Sequence, residues 1–150
     1  MKDKYLSLQQ KYGLPAYEDM VANFEINSIG KDDILIREVL KKMFDKIDFY
    51  TRTAESLLQP DSNFGNMKEA SGLSRQDIFI VNKIFVEGMH LTRSFTEFTL
   101  EYNENDTAEF IKKMWEEWLK IKPDIRIMLT RIKEVWKNEY KSEIDKGYIG

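Results

Sequence analysis

The stretch DDILIREVLKKMFDKIDFYTRTAESLL, from Asp32 to Leu58, decides the fold. Ile36, Leu40, Met43, Ile47, Tyr50, Ala54 and Leu57 recur at alternating spacings of four and three. That alternation keeps all seven side chains on one stripe of an α-helix. Val39, Phe44 and Leu58 widen the stripe beyond the thin seam of a two-stranded coil, which points to a bundle. Glu38 with Lys42, and Lys41 with Asp45, sit four residues apart and solvate the opposite side. Pro60 closes the segment, because the residue before a proline disfavours helical geometry.

Outward from this helix the same periodicity recurs. A second long helix is expected from Ser74 to about Asn103, with Val81, Ile84, Gly88, Leu91, Phe95, Phe98 and Tyr102 on its stripe. Ser74 followed by Asp77 resembles a capping box with Asp in place of Glu. Gly88 on the stripe invites close approach of a neighbour, at about 1 kcal/mol relative to Ala. The short turn Asn103–Asp106 makes the next helix an antiparallel neighbour. That third helix begins near Thr107 with Phe110, Ile111, Met114, Trp115, Trp118 and Ile121, is interrupted or kinked near Pro123, and resumes through Ile125, Met128, Ile132, Val135 and Trp136 to about Gly147.

Ahead of the bundle, residues 3–12 form a short helix ended by Gly13, and Pro15 opens another over about 15–24. Residues 60–73 are expected to be the only long loop. The fold expected is all-α: one domain over 1–150, an antiparallel bundle of three long helices with two short N-terminal helices. The third stretch, over about 107–144, outruns its neighbours, leaving Val135, Trp136, Tyr140 and Ile144 uncovered. Tyr17, Met20, Val21 and Phe24 of the N-terminal helices are the expected cover for that end, completed by a partner or second copy.

Composition narrows the function classes. A chain of 150 residues with 42% hydrophobic and 13% aromatic residues can bury a sizeable core. Only 7 Gly and 3 Pro favour long helices over a turn-rich sheet. The absence of Cys excludes disulfides, thiolate zinc sites and cysteine nucleophiles. The net charge of -3 argues against a generic binder of nucleic acid or anionic membrane. Acids prevail over residues 1–119, and bases over 120–150 by 8 to 5. The start Met1-Lys2-Asp3-Lys4 opens no signal-peptide pattern, and no apolar run approaches a membrane span, so a cytoplasmic location is expected.

Four motifs have a chemical reading. Glu87 and His90 form a Glu-x-x-His, the spacing by which di-iron bundles aim two ligands at one metal. Such sites need two of these motifs, and His90 is the only histidine. The segment Met67–Ile78 resembles a DNA-binding helix-turn-helix, with Gly72 in the turn and Ser74, Arg75 and Gln76 opening the reading helix. It departs from that pattern at Lys68, at Gly65 in a segment too short for a good first helix, and in the apolar run Ile78–Val81. Asp61–Gly65 looks like a calcium loop, but the required glycine and glutamate positions fall on Asn66 and Gly72. Trp115 and Trp118 share one helix face, as core packing or as the floor of a ligand pocket. No pair of acids is singled out as a catalytic couple, and no cofactor is implied.

The segments Leu57-Leu58-Gln59-Pro60-Asp61 and Trp118-Leu119-Lys120-Ile121-Lys122-Pro123 resemble those of small helical proteins of uncharacterised function encoded in archaeal genomes. The resemblance spans about residues 30–140. It implies a helical fold, with no activity and no site residues.

The reading is therefore a non-enzymatic helical-bundle interaction module that docks a protein partner or itself. Its candidate surface is Arg126, Arg131, Lys133, Trp136, Lys137 and Tyr140 on the basic C-terminal helix. One alternative is a nucleic-acid-binding regulator using the 67–83 segment or that basic helix. Another is an enzyme with a carboxylate site between helices.

Overall fold

A computed structural model describes residues 1–30, 34–145 and 147, except for the side chains of 139, 140 and 142–145. All regular structure among these residues is helical. In order, the α-helices are α1 (Lys2–Tyr12), α2 (Tyr17–Phe24), α3 (Leu35–Leu58), α4 (Phe64–Ser71), α5 (Arg75–Phe98) and α6 (Glu104–Asp145), with a 3-10 turn at Ile26–Ser28. Asp32 and Asp33, where the first long helix was expected to start, lie outside the described residues. Among the described residues no helix is long and apolar enough to cross a membrane.

The chain divides into two compact units, Met1–Phe49 with Gly88–Lys120 and Tyr50–Glu87 with Ile121–Gly150. In the first, the expected stripe of α3 is the core: Ile36, Val39, Leu40, Met43 and Ile47 are buried, with Leu91, Ile111, Met114 and Trp118 from α5 and α6. α2 closes this core. Phe24 meets Trp115 edge-on at 6.2 Å and Trp118 at 5.3 Å between ring centroids. The Trp118 indole donates to Asn23 Oδ1 at 2.9 Å, and Lys46 donates to the Asn23 carbonyl. α1 is fixed by buried Tyr5, whose hydroxyl donates to the Pro15 carbonyl at 2.6 Å, and by Gly13 in the left-handed region at φ 70°.

In the second unit, Ala54 and Leu57 of α3, Val81 and Ile84 of α5, and Ile121, Ile125 and Met128 of α6 are buried. α5 begins with a reciprocal cap: Asp77 N–H donates to Ser74 Oγ at 3.1 Å, and Ser74 N–H donates to Asp77 Oδ2 at 3.0 Å. The shorter Asp therefore closes a capping box as Glu would.

Three expectations are corrected. The 60–73 segment is not a continuous loop. Asn63 accepts from Asn66 N–H at 3.2 Å and starts α4, a cap that the glycine and polar content of the segment concealed. α5 ends at Phe98 rather than Asn103; Thr99 Oγ1 donates back to the Thr96 carbonyl, and Asn103 instead accepts from Asp106 N–H to start α6. Pro123 does not interrupt α6, which runs unbroken for 42 residues. Proline removes the bond to the Leu119 carbonyl, but Leu119 is 49% exposed, and buried Trp118, Ile121 and Ile125 anchor the helix on both sides. Met20 and Phe24 are buried in the first unit, and Trp136 meets α4 in the second, donating to Glu69 at 2.8 Å.

Candidate functional site

In the first unit α3 and α5 leave a cleft of about 490 Å³, lined by Arg37, Leu40, Lys41 and Phe44 from α3 and by Phe95, Phe98, Thr99 and Tyr102 from the end of α5 and its connector. Arg37, Leu40, Lys41 and Phe44 follow i, i+3, i+4, i+7 spacing, so the α3 wall is one face, two helical turns long, while the other wall passes from the end of α5 at Phe98 into the connector. Leu40 forms the buried floor. Phe44 and Phe95 are stacked at 4.2 Å between centroids and 11° between planes. Phe98 is braced from behind by Phe110 of α6 at 5.3 Å.

The rim is charged. Glu38 and Asp45 complete it beside Arg37 and Lys41. Arg37 lies against the Tyr102 ring, 3.8 Å from its centroid, a cation–π contact. This contact depends on the early end of α5, because Tyr102 sits in the connector rather than on the helix. Among the described residues no carboxylate lies within ion-pair distance of Arg37. Among the described lining residues the hydroxyls are those of Thr99, which donates to the Thr96 carbonyl, and Tyr102. The arrangement suits burial of an apolar group beside a fixed cation, and it assembles no nucleophile with a base.

The second unit has a different recess, of about 450 Å³, with Asp77, Arg131 and Glu134 among its lining residues. Arg131 Nε donates to Asp77 Oδ1 and Nη1 to Glu134, both at 3.1 Å. Burial works against the Asp77 charge, but the Ser74 hydrogen bonds and Arg131 outweigh it and hold its carboxyl below the ordinary range. Arg131 is already matched by two carboxylates, so this recess is a structural clamp.

Of the expected C-terminal surface, Arg126, Lys133 and Lys137 are exposed, Arg131 is paired with Asp77 and Glu134, and Trp136 is 39% exposed beside α4. The Tyr140 side chain lies outside the described residues. His90 is exposed, and among the described residues no group of three or more metal-type side chains forms. Arg75 and Gln76 are exposed at the start of α5, directly after the α4 turn. Sequence reasoning missed the cleft because Phe95, Phe98 and Tyr102 keep core spacing. The available signal was four aromatic side chains with Arg37 seven residues ahead of Phe44.

Comparisons with family models, with curated proteins and with solved structures find no match to this chain.

Proposed function

We propose that this chain is a non-enzymatic helical interaction module and that the α3/α5 cleft is where it holds its partner molecule. The observation that carries this reading is the Phe44–Phe95 pair, stacked at the mouth of a ligand-sized cleft instead of sealed in the core. Four aromatic rings provide burial, and the charges stand at the rim, the usual division between affinity and orientation in a binding site. We also take the three long helices as one antiparallel bundle, on the strength of their continuous apolar stripes. The test is titration with the neutral dye Nile red. Saturable fluorescence enhancement at one site per chain is expected, abolished in Phe95→Asp with helix content retained by circular dichroism. Unchanged dye binding in that variant would refute the assignment.

A second reading is favoured by one observation. α4, the Gly72–Ser74 turn and α5 supply the first helix that a helix-turn-helix requires, with Arg75 and Gln76 exposed. Against it stand Phe79, 71% exposed where a reading helix presents polar groups, and the net charge of -3. Salt-sensitive, sequence-dependent DNA binding weakened by Arg75→Ala would favour this reading over the cleft.

A further inference from the structure

The cleft has an internal polarity that narrows its ligand. Arg37 and Phe44 lie seven residues apart on α3, so roughly 10 Å separates their backbone positions along the helix. The stacked Phe44–Phe95 pair marks one part of the cleft, and Arg37 with Tyr102 marks another. A guanidinium carbon 3.8 Å from a ring centroid places the cation over the ring. Among the described residues its N–H donors meet no acceptor, so they remain to offer the fork geometry that matches a carboxylate. Lys41, one turn further along α3, adds a second cation at the same rim. Neither Arg37 nor Lys41 has an ion-pair partner among the described residues.

Resting on the reading of this cleft as the binding site, we infer that its ligand is a small aromatic carboxylate. The aromatic body lies in the cleft against the stacked Phe44–Phe95 pair and Phe98, and the carboxylate meets Arg37. A planar ring suits these walls, because aromatic pairs gain from offset or edge-to-face packing beyond the area they bury. A cleft of about 490 Å³ bounded by two helical turns matches one small molecule. Glu38 and Asp45 share the rim, but neither is held against a ring, so the preorganised charge is positive.

The experiment is calorimetric titration of the full chain with three isosteric probes: naphthoate, naphthylmethanol and naphthylmethylammonium. Naphthoate is expected to bind one per chain, roughly tenfold or more tighter than the alcohol, the discrimination a charge-assisted bidentate contact supplies. Arg37→Gln should erase that preference, so that naphthoate and naphthylmethanol bind the variant equally. Arg37→Lys, which keeps the charge but loses the fork, should restore only part of it. Equal binding of naphthoate and the alcohol would overturn the carboxylate assignment and leave the apolar cleft standing. Tighter binding of the ammonium probe would overturn it in favour of Glu38 and Asp45. No binding of any probe would overturn both the ligand class and the cleft.

Discussion

Trp136 donates its indole N–H to Glu69 at 2.8 Å, so α4 is what meets the apolar end of α6. The other hydrogen-bonded indole, that of Trp118, donates to Asn23 in the first unit. The two indoles therefore report on different helices. In ¹⁵N-resolved spectra, Glu69→Ala should shift the Trp136 indole resonance and leave that of Trp118 in place. Asn23→Ala should do the reverse. A Trp136 resonance that stays in place with Glu69→Ala would contradict the assigned bond.

Gly72 shows how tightly the α4–α5 turn is set against α6. A Cβ at this position would overlap Val135 Cγ2, with the remaining Val135 carbons also too close. Gly72→Ala should cost about 1–3 kcal/mol in urea unfolding, the usual penalty of overpacking. Val135→Ala should recover much of that loss, giving a clear coupling in the double-mutant cycle. Additive effects would show that the two residues do not touch.

The Asp77 cap should show in acid. Its carboxyl is held below the ordinary range, so the ionised form favours the folded state. This contribution is full above the unfolded-state value of about 4 and is lost as pH falls through the lower folded value. Asp77→Asn should therefore cost about 1 kcal/mol at pH ~7, a typical cap penalty, and progressively less below pH ~4. Denaturant melts at both pH values check this. A cost that stays constant into acid would contradict the assigned charge interactions with Ser74 and Arg131.

Much of the fold was legible because periodicity carries long helices: the α3 stripe is buried from Ile36 through Ile47 as its spacing requires. Ser74–Asp77 was legible as a cap because the motif is local. What failed was decided by tertiary contact or by short-range capping. Pro123 reads as a break, yet buried neighbours carry the helix through it. Asn63 starts α4 inside a stretch whose Gly65 argued for a loop. The cleft was hidden for a related reason, since spacing tells which side chains share a face but not whether a second helix covers them. Phe95 and Leu91 occupy equivalent stripe positions; Leu91 is buried and Phe95 is half-exposed.

The most direct test of the binding site is a ¹H–¹⁵N correlation spectrum of the full chain recorded through a titration with naphthoate. Saturable shifts are expected at residues 37–45 and 95–102, with Arg37 and Tyr102 among the largest, and little change at residues 126–137. Shifts concentrated instead on the basic face around Arg126, Lys133 and Lys137, or along α5 from Arg75 to Val86, would contradict the assigned site.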